Sequence, residues 1–419
     1  MNKNIKLAVA GAIFAATSAA QAGIIIPAGD WTVDINGNVN SFYTRTKLSG
    51  NQVTSAMTTN GEDDTKHQVQ TGLLPSALGI GAKTRQNDVD VAFQISLWTG
   101  SNANGADNLN VGNFGTNGGL GYSSLNVRQS YLTFGDKSWG SFKLGRDLGV
   151  FGSDAILSDM TLLGVGSFAG GSGSSTLGRI GSGYLYADWK AQIAYTTPNF
   201  NGFEATGALT EATGQQDNSN LGVEAKASYS FAANDVNGKV WVGGLHQKIQ
   251  TRGTAAAAHP SNSFSSTGVV SERDAEAWEI GAKAGTGGFE LLGYYYDGKN
   301  HDSGIGTALN TLAPNTTTAA SFSTASAQTD NKGGYVQGTY VLPTKTKLGV
   351  SWGRSTIETA GLRDAEREAT IIGAYHPLTK HLNLVAEYNH LDVERITANS
   401  AAAQEGKSKT MSLGAILFF

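Results

Sequence analysis

From residue 31 onward, apolar and polar side chains alternate with a period of two. Trp31, Val33, Ile35 and Val39 alternate with Thr32, Asp34, Asn36, Asn38 and Asn40. Val91, Phe93, Ile95 and Leu97 alternate with Ala92, Gln94, Ser96 and Trp98. The same spacing returns at Leu348, Val350 and Trp352, at Leu382, Leu384, Ala386 and Tyr388, and at Met411, Leu413, Ala415, Leu417 and Phe419. Period two places successive side chains on opposite faces of a strand, so each run predicts a strand with one apolar and one polar face.

The connections alternate as well. Short ones fall at Thr84–Asp88, Gly135–Gly140, Thr197–Gly202, Ala232–Gly238, Gly285–Gly288, Leu342–Thr346 and His376–Lys380. Long ones, rich in Gly, Ser, Asn and Thr, fall at about Leu48–Thr71, Gly100–Ser124, Asp147–Gly183, Thr251–Asp274, Gly298–Asn331 and Ile396–Gly406, with shorter ones near Glu211–Asn220 and Glu358–Glu366. Seven turns and eight loops imply about sixteen strands. An open antiparallel sheet of that size exposes aggregation-prone edges, and closure removes them. Apolar outside, polar inside, with short turns at one end and long loops at the other, describe an all-β transmembrane antiparallel β-barrel. Aromatic residues near strand ends, among them Trp31, Tyr43, Trp98, Tyr131, Tyr195, Phe200, Phe203, Phe289, Tyr340, Tyr375 and Phe419, suit interfacial girdles.

Composition narrows the function classes. Only 15% of residues are charged, and 55 of 419 are Gly, against a soluble-domain norm of roughly 25% and 7%. The absence of Cys excludes disulfides, thiolate metal sites and a Cys nucleophile. A net charge of −4 leaves no nucleic-acid footprint. At the N-terminus, Lys3 and Lys6, the apolar run Leu7–Ala16 and Ala20-Gln21-Ala22 read as a cleaved secretory signal peptide over residues 1–22, leaving residues 23–419 as one barrel domain.

Against this background the chain resembles the trimeric, sixteen-stranded general porins of Gram-negative bacteria. The resemblance rests on Arg128-Gln-Ser-Tyr-Leu-Thr-Phe, Trp139-Gly-Ser-Phe-Lys-Leu-Gly-Arg146, Asp154-Ala and Ser158-Asp-Met160, in that order. Ser76-Ala-Leu-Gly-Ile-Gly is similar to the family's second strand, and Tyr195–Phe203 to the turn after its sixth. The terminal Phe419 is similar to the signal read by the barrel-assembly machinery. The resemblance implies an outer-membrane passive diffusion channel for ions and small hydrophilic solutes, a homotrimer, and contact with outer-membrane lipid and lipopolysaccharide. It also implies a third loop, Asp147–Gly183, folded inward to narrow the pore. Its acidic groups would face basic groups on the wall and set ion preference. By correspondence, Asp159 and Asp154 are the loop carboxylates, and Arg128, Arg146 and Lys190 the wall cations. Ala77, Gly81 and Leu163 depart from the family's charged positions, which implies a less polarised constriction.

Other chemistry is thin. His67, His246, His259, His301, His376, His381 and His390 show no metal-ligand spacing, so no metal or cofactor is expected. No Ser lies in a nucleophile-elbow context, so no catalytic residues and no enzyme activity are expected. Glu62-Asp63-Asp64 reads as a solvated loop tip rather than a cation site. Two alternatives stay open: a sugar-selective channel with Trp98, Tyr294 and Tyr296 as an aromatic track, and a surface receptor or adhesin acting through the loops at Thr251–Asp274 and Gly298–Asn331.

Overall fold

The computed structural model describes residues 23–50, 64–101, 125–167, 175–212, 220–252, 270–301, 329–359, 363–397 and 404–419. The expected signal peptide, Glu62 and Asp63, the Gly170–Ser174 stretch and most of the long loops lie outside them. The strands are β1 (Ile24–Ala28), β2 (Trp31–Ser49), β3 (Asp64–Gln70), β4 (Ser76–Gln86), β5 (Val89–Thr99), β6 (Asn126–Asp136), β7 (Gly140–Leu148), β8 (Trp189–Thr196) and β9 (Phe203–Glu211). They continue as β10 (Leu221–Ala233), β11 (Val236–Arg252), β12 (Val270–Thr286), β13 (Phe289–Lys299), β14 (Thr329–Val341), β15 (Lys347–Thr359), β16 (Arg363–Pro377), β17 (Leu382–Thr397) and β18 (Gln404–Phe418).

From β4 onward each strand pairs antiparallel with the next, and β18 closes on β2 from Lys407↔Ser49 to Phe418↔Asn38. β3 and β4 are two pieces of one wall strand, both pairing β2, so the barrel has sixteen staves. The break between the pieces is Thr71–Pro75, where Pro75 cannot donate to a ladder. Side chains from β2 replace the lost bonds: Asn40 Nδ2 donates to the Leu74 carbonyl at 2.9 Å, and Asn38 Nδ2 to that of Pro75 at 3.2 Å. Two details differ from the sequence expectation. Part of the expected Leu48–Thr71 loop is β3, and a short hairpin strand, β1, precedes the first stave. β1 pairs Ile24–Ala28 with Ile35–Trp31 and thereby extends the edge of β2 beyond the end of β18.

All seven short connections stand where the period-two pattern breaks. In one of them Asn87 and Asp88 both hold positive φ, 50° and 64°, the geometry of a two-residue turn whose twist matches the flanking strands. The outward row is apolar: Val39, Ile80, Ile95, Ile193, Val242, Ile280, Leu291, Val350, Ile372 and Leu413 are all exposed. Aromatic side chains gather at both ends of this band. Phe289 stacks on Tyr340 at 4.1 Å near the short turns, and Trp278 packs on Tyr295 at 5.5 Å toward the long loops. Trp98, Tyr131 and Tyr375 do not join the girdles: parity turns them inward, where they are buried.

Candidate functional site: a loop pinned to the inner wall

Between β7 and β8 the chain leaves the wall for forty residues. The segment forms a short helix, α1 (Ser153–Ser158), and a single 3₁₀ turn, Met160–Leu163. Their apolar residues Ala155, Ile156, Met160, Leu162, Leu163 and Val165 are buried in one cluster with Trp241, Tyr294, Tyr335 and Tyr375, which are inward positions of β11, β13, β14 and β16. The loop residues are thus covered by the inner face of the barrel. Wall glycines make the approach possible. A Cβ at Gly349 would fall 2.5 Å from Met160 Sδ, and one at Gly353 2.6 Å from Arg179 and from the Ser182 carbonyl.

Polar anchors fix the segment at several places. Glu224 accepts the Val150 and Phe151 amides at 2.7 and 2.8 Å. Glu279 accepts the Gly152 amide at 3.1 Å. Gln337 accepts the Met160 amide at 2.8 Å and donates to the Ser158 carbonyl at 2.9 Å. Glu387 accepts the Val165 and Gly166 amides at 2.7 and 2.8 Å and the Tyr375 hydroxyl at 2.6 Å. The return limb docks too: Leu73 donates to the Gly164 carbonyl and Thr176 to that of Gly72, at the break between β3 and β4. A buried loop must find partners for its backbone polar groups, and the wall carboxylates and amides supply them.

The loop also meets wall charge. Asp154 pairs with Lys226 of β10 at 2.8 Å and with Lys239 of β11. Burial opposes its ionisation, but the two ammoniums outweigh that and hold its carboxyl down at about 2. Lys283 stands opposite Lys239 on β12 and reaches Ser158 Oγ at 3.4 Å.

The other expected site residues have different surroundings. Asp159 lies inside the loop, accepting the Thr161 amide at 2.9 Å, the Thr161 hydroxyl at 2.6 Å and the Tyr184 hydroxyl at 2.9 Å. It caps the 3₁₀ turn. Lys190 is buried in an ion pair of 2.5 Å with Glu224, so its charge is spent within the anchor. Arg128 sits at a bulge in β6 opposite Ser96–Leu97, its guanidinium 5.1 and 5.7 Å from the Trp98 and Trp189 rings. Arg146 is half-buried, in register with Ser130 and Ala191, in the row of Leu144 and Ile193 and not that of Lys190. Both arginines lie within electrostatic reach of Tyr186, whose hydroxyl burial pushes up to about 12 while they pull the other way. Among the described residues, Asp154 is the one of the five that forms ion pairs between the loop and the facing wall.

The three rings named for an aromatic track are each hydrogen-bonded to a neighbouring side chain. Trp98 donates to Ser96 Oγ at 2.6 Å, Tyr294 to Glu279 at 2.7 Å and Tyr296 to Ser355 Oγ at 2.9 Å. These rings are buried and pack the loop.

The profile of the Gram-negative porin family matches residues 7–395. The chain belongs to the Gram-negative porins. Solved structures agree on the fold. The outer-membrane channel DcaP of Acinetobacter baumannii shares 15% identity with a TM-score of 0.59, covering 95% of this chain and all of its own. An anion-selective porin from Comamonas acidovorans shares 14% with a TM-score of 0.54, covering 93% and 100%. OmpF of Salmonella typhi, solved with daunomycin, shares 14% with a TM-score of 0.52, covering 94% and 100%. No curated protein matches by sequence.

The porin resides in the outer membrane and is a channel. Sequence reasoning missed its main anchors, Glu224, Glu279, Gln337 and Glu387, and the lysines facing Asp154. One signal was available: each is a charged or amide side chain at an inward position in the middle of a strand, where a merely hydrated wall has no need of acids spread over three separate strands.

Proposed function

We propose that the porin passes ions and small hydrophilic solutes down their gradients through a lumen narrowed by the segment between β7 and β8. The observation that carries this reading is the set of wall side chains, Glu224, Glu279, Gln337 and Glu387, that hold the segment's backbone against the inner face. A segment held there occupies cross-section that water would otherwise fill. In this reading Asp154, with Lys226, Lys239 and Lys283, forms the charged edge of the constriction. Arg128, Arg146, Lys190 and Asp159 act on the shape of the loop and wall. The family and fold point to a channel, and we take the protein to have no catalytic role.

The functional unit in this proposal is a homotrimer of barrels, delivered by a cleaved leader at residues 1–22 and inserted through the barrel-assembly machinery with Phe419 as its signal. The outward apolar row contacts outer-membrane lipid, and the loop-side rim contacts lipopolysaccharide. The test is incorporation of purified protein into a planar bilayer. Stepwise ohmic conductance, with several equal levels closing in succession, is expected. A protein that inserts and stays silent would refute the reading.

A further inference from the structure

Both ends of the barrel domain reach the same seam. β18 covers one edge of β2 as far as Phe418↔Asn38, and Phe419 exchanges backbone bonds with Gly37 just below. From there β1 takes over that edge, from Ile24↔Ile35 down to Ala28↔Trp31. The register carries Gly23 to the level of Asn36, next to Gly37. Asp34 stands on β2 beside this junction, opposite Ile25 of β1 and Gly81 of β4. Its Oδ1 is buried and accepts no hydrogen bond among the described residues. Asp34 has no ion pair among them either. Of the cations on the same face of β4, Arg85 is held by Asp90 and Asp136, and Lys83 is exposed.

A carboxylate oxygen out of water and without a donor is costly. What lies against this one is Gly23. A Cβ built on Gly23 would fall 2.0 Å from Asp34 Oδ1 and 3.3 Å from Oδ2. Nitrogen and Cβ on one tetrahedral carbon are ~2.5 Å apart, so the Gly23 nitrogen lies within about 4.5 Å of Oδ1. As a backbone amide that nitrogen carries one hydrogen, and Oδ1 does not receive it. Glycine is needed here for space, because any side chain would drive the carboxylate out of its place.

We propose that Asp34 receives the α-ammonium of Gly23 that forms when residues 1–22 are removed, a cleavage that is itself part of the export route proposed above. Hydrolysis of the Ala22–Gly23 bond consumes one water and leaves a carboxylate on Ala22 and a protonated amine on Gly23. One fixed amide hydrogen becomes three donors that turn about the N–Cα bond, and a positive charge arrives beside the buried oxygen. Charge-assisted bonds of this kind are about twice as strong as neutral ones. The ion pair pins β1 across the foot of the seam, where β18 no longer covers β2. A chain that keeps its leader has an uncharged amide at this place, so the pin exists only after processing.

The test is amine acetylation of protein purified from outer membranes, read by mass spectrometry. Intact mass first establishes that the chain begins at Gly23. The folded barrel is then treated at neutral pH with the N-hydroxysuccinimide ester of acetic acid, and the N-terminal peptide is quantified against the exposed Lys345 and Lys380. An ammonium beside a carboxylate stays protonated and unreactive, so the Gly23 amine should react about tenfold more slowly in the parent than in Asp34→Asn. Gly23→Ala should lose protection as well, since its methyl displaces the carboxylate. In both variants hydrogen exchange at Ile24–Ala28 should quicken while that of Met411–Phe418 and heat-modifiable migration stay parental. A parent amine that reacts as fast as that of Asp34→Asn would overturn the proposal. Equal protection in Asp34→Asn would do so too, giving the amine to another acid such as the Phe419 carboxylate. An intact mass with a first residue other than Gly23 would remove the leader reading and this pairing together, whereas a free amine on a chain that begins at Gly23 removes the pairing alone.

Discussion

Replacing Glu387 with Ala should loosen one end of the inward segment without opening the barrel. Glu387 is buried and accepts two loop amides and one tyrosine hydroxyl. A hydrogen bond to a charged acceptor contributes about 1.5–3 kcal/mol net. Losing both amide bonds therefore costs local stability of about 3 kcal/mol, taking the low end because neighbouring bonds are not additive. At about 1.4 kcal/mol per tenfold, local opening becomes ~100-fold more frequent. Global stability should change less, because the variant no longer incurs the cost of burying a carboxylate. The assay is hydrogen exchange of peptides spanning Met160–Ser167 in detergent-solubilised protein, with heat-modifiable migration as the folding control. Glu387→Gln, which keeps one acceptor oxygen, should fall between variant and parent. Exchange at Val165 and Gly166 unchanged in Glu387→Ala would refute the anchoring argument.

Asp154→Asn should shift the reversal potential under a salt gradient toward anions, since Lys226 and Lys239 lose their counter-charge; an unmoved potential would take Asp154 off the ion path. Because the Asp154 carboxyl is held below its ordinary value, its pairing contributes stability that is full above about pH 4 and is lost as pH falls through about 2. Selectivity of the parent should accordingly stay flat from pH 7 to 4 and turn toward anions only below about 3, which a pH series of reversal potentials checks. Deleting Phe419 removes a reciprocal pair of bonds with Gly37, at 2.8 and 3.1 Å, where β18 meets β2. The yield of membrane-inserted, heat-modifiable barrel should drop sharply, and parental yield would count against its role in assembly. Arg146→Ala, with its side chain in the row of Leu144, should leave the reversal potential within error, whereas a clear shift toward cations would return Arg146 to the pore.

The barrel was legible because period two and the alternation of short and long connections are local properties, repeated sixteen times over. Neither depends on which residue touches which. The breaks in the pattern were less legible. β3 was lost in a long loop because Asp64–Gln70 carries a single aliphatic residue, Val69, and β1 because its apolar run Ile24–Ile26 does not alternate. Inward placement of Trp98, Tyr131 and Tyr375 followed from parity, but their position near strand ends pointed to girdles. At the site, Asp154 was visible as a loop acid, while its partners Lys226 and Lys239 are about seventy and eighty-five residues further along the chain, on β10 and β11. Asp159 matched a motif, yet the same short spacing to Thr161 that makes the motif also makes a capping turn. Lys190 looked like a wall cation because nothing in its neighbourhood along the chain announces Glu224. Long-range pairing of this kind is fixed by where the loop lands on the wall, and that depends on small cut-outs such as Gly349 and Gly353, which in sequence are ordinary strand glycines.

The most direct measurement is single-channel conductance in planar bilayers, comparing the parent with a variant in which Leu157–Gly173 is replaced by a short Gly-Ser linker. Every stave keeps its ladder in that variant, because the described residues of the segment add no strand to the wall. The account predicts a folded barrel with higher conductance and admission of larger uncharged solutes. A variant that inserts as well as the parent and conducts identically, with the same solute cut-off, would place the segment outside the path and contradict it.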